Sequence, residues 1–312
     1  MADGSASIKG APGTTTHGAP DGGVVLSVIA PAHDEEENVQ RLVDEVGAAM
    51  QRAFPVDGAF PYEFIIADDA SRDRTPEIVR ELMRDRPWLR LVSLSKPESG
   101  GGNGQSAAFK AGFAAARGTW VATLDADLQN DPADLVRMLA IVRGEDTTHG
   151  PGVDFVQGDR SHARKDNIVR RYGSIVGRLF RRMLLGDSIR DTGCSLRVMR
   201  REIAVKLPLD FKGMHRFVPV TARQMGYRVV EMRVNHRPRH AGTPKYGLGI
   251  TKRALPGLVD CFAVRWMRNR RRIPTRIDVI GPADLASGGG GPADGIHASG
   301  VSESTHGGSE RA

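Results

Sequence analysis

The chain has 312 residues, a formal net charge of +7 and only two cysteines, Cys194 and Cys261. Without a C-x-x-C pair it is not a disulfide scaffold or a zinc-cluster protein, and a reducing, cytoplasmic compartment is expected. No uninterrupted apolar run approaches the ~20 residues of a membrane-spanning helix, so a soluble or peripheral protein is expected.

Residues 1–23 and 277–312 are rich in Gly, Ala, Ser and Thr and poor in apolar residues. Both tails are expected to be disordered. The N-terminus has no basic stretch leading into an apolar one, so no signal peptide is expected. Between the tails, residues 24–250 suffice for one sizeable domain, followed by a basic amphipathic segment over 251–276.

From Val24 the pattern alternates strand and helix. A β-branched run over 24–30 predicts a first strand, and Val39, Leu42, Val43, Val46 and Met50 mark a helix face. Residues 63–67 predict a second strand, and Thr75-Pro76 opens a helix carrying Ile78, Val79 and Leu82. A third strand over 89–94, a helix over 107–116 and a fourth strand over 120–124 follow. Asp131-Pro132 then starts a helix, with Asp as cap and Pro in its first turn. Residues 154–157 predict a short fifth strand. The sum is an α/β fold, an open, mainly parallel sheet with helices on both faces.

Ligands bind such sheets at the carboxyl ends of the strands, and there the polar residues gather. They are Pro31 to Glu37, Asp68-Asp69-Ala70-Ser71, the 99–106 loop, Asp125-Ala126-Asp127 and Gly158-Asp159-Arg160. Any one of these loops could serve only to cap a helix. Five converging on one edge point to a site. Two carboxylates one residue apart at a strand end form a hard-oxygen pair suited to Mg²⁺ or Mn²⁺ and a phosphorylated substrate. The loop Gly100-Gly101-Gly102-Asn103-Gly104 is a flexible turn or a close backbone approach to a diphosphate. It lacks the Lys-Ser/Thr of a Walker A loop.

After residue 160 the parallel pattern stops. Residues 160–190 carry nine Arg or Lys against two Asp, and 251–276 carry eight against one. On a helical wheel over 168–184, Ile168, Tyr172, Ile175, Val176, Leu179, Phe180 and Met183 share one side. Arg170, Arg171, Arg178, Arg181 and Arg182 share the other. This suits a core-facing helix with a solvated basic face, or a helix lying at an anionic membrane surface. Leu255, Leu258, Val259, Phe262 and Trp266 repeat the pattern more weakly. The spacing of His215, His236 and His240 fits no zinc site. Cys194 has no paired base in the sequence and reads as a small packed residue.

These motifs, in this order, resemble the family 2 glycosyltransferases of the polyprenyl-phosphate type, the group of dolichol-phosphate mannose synthase and the undecaprenyl-phosphate sugar transferases. The resemblance covers roughly Leu26 to Tyr246. Pro31-Ala32-His33-Asp34-Glu35-Glu36-Glu37-Asn38 is similar to P-x-Y-N-E-x-x-N, with His33 and Asp34 as departures. Asp68 to Thr75 is similar to D-D-G-S-x-D-G-T, with Ala70 and Arg74 in place of glycines. Asn103-Gly104-Gln105-Ser106 and Asp125-Ala126-Asp127-Leu128-Gln129 match directly. Asp191 to Leu196 resembles D-x-x-C/S-G-F, and Arg239 to Tyr246 resembles R-x-x-G-x-S-K-Y with Pro244 at the serine.

The resemblance implies a GT-A fold, a nucleotide-diphosphate sugar donor, a polyprenyl phosphate acceptor and an inverting reaction. It implies donor contacts at Pro31, Glu35, Asp68, Asp69, Gly104, Gln105 and Asp125. It also implies a divalent Mg or Mn held by Asp125, Asp127 and Gln129. Arg160, Arg239 and Lys245 would hold the acceptor phosphate, and Asp191 would orient the acceptor or an arginine. A peripheral position on the inner face of the membrane follows. A transferase of the same fold with a polysaccharide, glycolipid or protein acceptor is the alternative. Nucleic-acid binding ranks far below, because the aromatics near the arginines, Tyr172, Phe180, Phe262 and Trp266, mostly lie on the opposite face.

Overall fold

A computed structural model describes residues 23–55, 60–98, 101–162, 168–238 and 250–272. The tails, Arg239 to Tyr246 and the side chains expected to matter at 168–176 and 255 lie outside the described set.

Seven strands form one sheet: β1 (Leu26–Ala32), β2 (Tyr62–Asp68), β3 (Leu89–Ser93), β4 (Trp120–Thr123), β5 (Phe155–Asp159), β6 (Arg197–Arg200) and β7 (Val229–Arg233), in the order β3-β2-β1-β4-β6-β5-β7. The five expected strands are present, and β6 and β7 add to them. β6 runs antiparallel to both neighbours, β4 and β5, while every other pairing is parallel. β1 and β2 pair with Ala32 opposite Asp68, so their polar loops leave the sheet side by side.

Helices cover both faces. On one face α1 (Glu36–Ala53), α2 (Thr75–Leu82) and α4 (Ala133–Arg143) bury Val39, Leu42, Val43, Val46, Val79, Leu135 and Leu139 against Val28, Phe64 and Ala122. The expected helix face over 39–50 is thus the core stripe of α1. On the other face α3 (Gln105–Ala115), α6 (Arg201–Lys206), a 3-10 turn (Met214–Phe217) and α7 (Val218–Gln224) pack on Ile29, Ile65 and Phe155. The ends of α5 (Ile168–Leu185) and α8 (Ile250–Arg270) join this second cluster through Leu185, Cys261 and Val264. Burial on both faces explains the continuous apolar runs of β1 and β2.

One charged residue breaks the run of β2. Glu63 is 1% exposed, opposite Ser27 in register. It accepts hydrogen bonds from Ser27 Oγ (2.7 Å), Arg90 Nη1 (2.6 Å), and the amide (2.7 Å) and Nε (2.9 Å) of Arg117. These donors pin the turn between α3 and β4 to the amino ends of β1 and β2, the edge away from the polar loops. Burial alone would raise the Glu63 pKa, but its donors outweigh burial and lower it. A lowered folded pKa gives stability that is present above the unfolded value and lost as pH falls through the folded one. Glu63→Gln is therefore expected to destabilise the protein by about 2 kcal/mol at pH 7, less than a fully buried pair because both arginines reach solvent. Its urea midpoint should also change less than that of the wild type between pH 7 and pH 4.

Candidate active site

The polar loops do meet at one edge of the sheet. Past β1 and β2 the two loops are stitched together by Asp34 N–H to Ser71 Oγ (3.0 Å), Glu35 N–H to Thr75 Oγ1 (2.8 Å) and Glu36 N–H to Asp73 Oδ2 (3.0 Å). Pro31 stands in β1 opposite Ala67, and Asp68 closes β2 with its Oδ1 accepting the Ser71 amide (3.2 Å). Glu35 Oε2 accepts from Asn38 Nδ2 (2.7 Å). His33 Nδ1 lies 2.7 Å from the Asp69 carbonyl, which can only accept, so Nδ1 is the donor of that bond.

Asp69 clamps the glycine loop. Its Oδ1 accepts from the amide (2.7 Å) and Nδ2 (3.1 Å) of Asn103, and its Oδ2 accepts the Gly104 amide (2.7 Å). Both oxygens are occupied by protein, so this carboxylate orders the loop that leads into α3. The glycines are needed here for two reasons. Gly104 has φ +95°, and a Cβ on Gly102 would lie 2.5 Å from Asp69 Oδ2. From Gly104 the chain enters α3, where Gln105 Nε2 donates to Asp125 Oδ1 (2.7 Å).

Beyond β4, Asp125, Asp127 and Gln129 are half-buried and alternate with buried Ala126, Leu128 and Asn130. The three expected metal ligands thus sit at the less buried positions of a tight turn whose Leu128 has φ +60°, and of the three Asp125 lines the cavity described below. Asn130 Oδ1 accepts the Asp125 amide (3.0 Å), and Asp127 Oδ1 accepts the Gln129 amide (3.2 Å). Two carboxylates and an amide oxygen fit Mg²⁺ or Mn²⁺, whose other ligands would come from water and phosphate oxygens. No group of three or more His, Cys, Asp or Glu suited to a metal occurs among the described residues.

Arg160, one residue past β5, pairs with Asp191. Its Nε lies 2.9 Å from Asp191 Oδ2, and its amide also donates to that oxygen (3.2 Å). The side chains are 12% and 4% exposed. Burial opposes the Arg160 charge, but the bonds and charge of Asp191 outweigh it and raise its pKa. Asp191 thus holds an arginine. Cys194 packs behind them, and burial pushes its thiol up to about 11, so it is no nucleophile. Arg239 and Lys245 lie outside the described residues. The described stretch before them ends at Pro238, after the Arg237 amide bonds the Gln129 carbonyl (2.9 Å).

A cavity of about 360 Å³ joins these parts, lined by Gln105, Asp125, Arg160, Arg197, His215 and Arg216 among others. The sequence pattern nominated the first three. Arg197 was missed, although a lone charge between Leu196 and Val198 in an apolar run is a visible signal. His215-Arg216, a polar pair within Met214 to Val218, offered a weaker one.

A mainly parallel sheet with a paired-acid turn past its fourth strand and a loop from a reversed strand beside it is the GT-A arrangement. Similarity to solved structures bears this out. Glucosyl-3-phosphoglycerate synthase from Mycobacterium tuberculosis bound to UDP superposes with a TM-score of 0.55 at 19% identity, covering 77% of this chain and 81% of that one. A second structure of that enzyme, with a TM-score of 0.53, holds Mn²⁺, UDP and glucosyl-3-phosphoglycerate. Residues 27–207 match the sequence model of Glycosyl transferase family 2, and the chain belongs to that family. It is 33% identical over 238 residues to dodecaprenyl-phosphate galacturonate synthase of Rhizobium johnstonii, covering 75% of this chain and 65% of that protein. It is 32% identical over 244 residues to undecaprenyl-phosphate 4-deoxy-4-formamido-L-arabinose transferase of Edwardsiella ictaluri, covering 78% and 69%. The chain therefore spans about two thirds of the length of these relatives.

If the Asp69 clamp orders the loop for ligand, Asp69→Ala and Gly102→Ala should both weaken nucleotide-diphosphate binding. A loss of at least tenfold, about 1.4 kcal/mol, is expected by calorimetry. Unchanged affinity in both variants would show that the loop does not serve the ligand.

Proposed function

We propose that this protein transfers a sugar, with inversion, from a nucleotide-diphosphate sugar to a polyprenyl phosphate at the cytoplasmic face of a membrane. The observation that carries the reading is a cavity that joins Asp125, past the end of β4, to Arg160, past the end of β5 and paired with Asp191. One side offers carboxylates for a metal-bound diphosphate, the other a fixed guanidinium for an anion. The names of the two relatives support the acceptor class.

In this reading Pro31, Glu35 and Asp68 bound the nucleoside side, and the loop ordered by Asp69 carries Gly104 and Gln105 to the diphosphate. Asp125, Asp127 and Gln129 would hold Mg²⁺ or Mn²⁺, which would supply charge neutralisation at the leaving diphosphate. A phosphate acceptor is already anionic at neutral pH and needs positioning rather than a base. Asp191 serves that need by fixing the fork of Arg160, whose geometry matches phosphate oxygens. Arg239 and Lys245 are proposed to complete the acceptor site. The bond between Arg237 and Gln129 supports this, since it carries the chain to the metal turn two residues before Arg239. The catalytic domain is proposed to span 24–250, with 251–276 as a surface segment.

Metal dependence tests the centre of the reading. Asp127→Asn is expected to lower kcat by about a hundredfold, the scale of a few kcal/mol of lost charge stabilisation. Its thermal midpoint should stay close to that of the wild type. Full turnover by the wild type in EDTA would overturn the assignment.

Membrane attachment rests on α5 and α8, which pack together with the rings of Phe180 and Phe262 5.7 Å apart. The described part of the pair differs from the expected division into apolar and basic faces. Leu179 (63%), Met183 (76%), Phe262 (56%) and Trp266 (62%) are exposed, together with Val259. Arg181, expected on the solvated basic face, turns inward to Asp187 and to the Ile189 carbonyl (2.7 Å). The buried Asp187 carboxylate is the reason, because it needs a cation. Arg178 and Arg182 remain exposed. No helix among the described residues is long and apolar enough to cross a membrane. An exposed apolar stripe with arginines beside it suits an interfacial helix pair.

Vesicles rich in anionic lipid should therefore sediment the protein, and raised salt should weaken the binding. Replacing Leu179, Met183, Phe262 and Trp266 with Ser should abolish it. Arg178→Gln with Arg182→Gln should reduce it while sparing nucleotide affinity. Equal binding to neutral and anionic vesicles, or none at low salt, would count against this surface.

A further inference from the structure

The cavity holds more positive charge than its own carboxylates answer. Arg160 is matched by Asp191, and Asp125 faces the proposed metal position. Arg197 is 2% exposed, yet among the described residues its guanidinium bonds only neutral acceptors, Gln157 Oε1 (3.0 Å) and the Thr192 carbonyl (3.2 Å). A guanidinium has five N–H donors, so most of its capacity at the cavity wall is unused. Burial lowers the Arg197 pKa to about 10, although the charges of Asp125 and Asp191 act on it at longer range in the other direction. Arg216 makes no side-chain hydrogen bond or ion pair among the described residues, and Asp260 acts on it only as a charge at longer range.

Between these arginines stands His215. Ser106 Oγ accepts the His215 amide (3.2 Å) and lies 3.0 Å from His215 Nδ1. Where the Ser106 hydroxyl donates its proton to Nδ1, the ring proton sits on Nε2, the arrangement the subsite needs. Burial, with the charges of Arg216 and Arg197, lowers the His215 pKa to about 3, so the ring stays neutral. It is a donor of fixed orientation rather than a third cation.

Two guanidinium groups and an oriented N–H on one side of a cavity describe a receptor for an oxyanion. A neutral sugar hydroxyl would leave the buried Arg197 with no directly bonded anion, only the longer-range charges of Asp125 and Asp191, which is costly in a poorly solvated site. We propose that Arg197, His215 and Arg216 form a second anion subsite, separate from the diphosphate position, that binds an acidic oxygen group of the substrates. Resting on the glycosyltransferase reading, it has two candidate sources, the acceptor's phosphate monoester and a carboxylate on the transferred sugar. Ser106 acts as a positioning residue through His215.

The test uses the full chain with Mn²⁺ and calorimetric titration. The probes are farnesyl phosphate, UDP, and the pair UDP-glucose and UDP-glucuronate. If the wild type takes guanine nucleotides, the corresponding probes are GDP, GDP-mannose and GDP-mannuronate. Arg216→Gln is expected to weaken one acid-bearing probe about tenfold, the scale of one lost charge-assisted pair, and to leave UDP and UDP-glucose within threefold. Loss on farnesyl phosphate assigns the subsite to the acceptor, and loss on the uronate assigns it to the sugar. Ser106→Ala should weaken the same probe by a smaller factor, a selectivity that general loosening of the fold would not produce. Unchanged binding of both acid probes would overturn the proposal, as would a parallel fall in UDP and UDP-glucose. A wild type that binds no nucleotide with Mn²⁺ would instead bring down the glycosyltransferase reading on which the proposal stands.

Discussion

The reversal of β6 is the constraint on which the site depends. A strand inserted between β4 and β5 sets them roughly 9–10 Å apart, two strand spacings, instead of one. Because β6 runs antiparallel, it enters at the edge where β4 and β5 end, with Arg197 opposite both Thr123 and Gln157. The Asp191-to-Leu196 segment must therefore descend into the gap between the paired-acid turn and Arg160. Its backbone is held there from both sides, by Thr123 Oγ1 on the Ser195 carbonyl and by Gln157 Nε2 on the Asp191 (3.0 Å) and Cys194 (2.9 Å) carbonyls. The fit is close enough that a Cβ on Gly158 would lie 2.8 Å from Cys194 Sγ and 2.9 Å from the Leu196 carbonyl. One change of strand direction thus opens the cavity and fills part of it with polar groups.

The opposite side of the site is organised by backbone strain and side-chain clamps. Among the described residues three non-glycines have positive φ, Asp34 (50°), Ala70 (55°) and Leu128 (60°), and they follow β1, β2 and β4 respectively. Such conformations cost of order 1 kcal/mol or more each and persist only where their surroundings over-determine them. The surroundings do so here. The cross-links from Asp34 to Ser71 and Arg72 fix the first two loops, and Asn130 fixes the third through the Asp125 amide. Ala70 is also where the family pattern has glycine, so this chain keeps the turn geometry while forgoing the residue that adopts it without strain.

Much of this was legible in the sequence, because the parallel half of the sheet writes its topology plainly. Buried strands read as apolar runs, and the polar residues that end them share one edge by construction. The paired acids, Gln105 and Arg160 could be found that way. The other wall could not. β6 is four residues, Arg-Val-Met-Arg, too short for a period to emerge and charged at both ends. Arg197 and the turn with His215 therefore had no recognised element to sit on. In the described part of α5 and α8 the wheels did not tell inward from outward, since Leu179 and Met183 are exposed while Arg181 turns inward. Arg181 is drawn inward by Asp187, which lies beyond the end of the helix and outside any wheel.

α8 links two parts of the molecule that the sequence presents as unrelated. Its exposed side carries Val259, Phe262 and Trp266, while Cys261 and Val264 pack into the second core cluster. Between these sides, Asp260 lies against the turn that begins at Gly213, where a Cβ would come within 3.0 Å of its Oδ2. Gly213 has φ +86° and leads directly into Met214 to Phe217, so the helix braces the turn that holds His215 and Arg216 at the cavity. Arg265 and Arg268 reach across to the Leu184 (2.8 Å) and Leu185 (3.3 Å) carbonyls, joining the ends of α5 and α8 into one unit. A lipid surface meeting the apolar stripe would then act on the same rigid pair that positions the cavity's basic wall. The chemistry of the proposed acceptor asks for that arrangement, since a phosphate tethered to a membrane can approach only from the side that faces it.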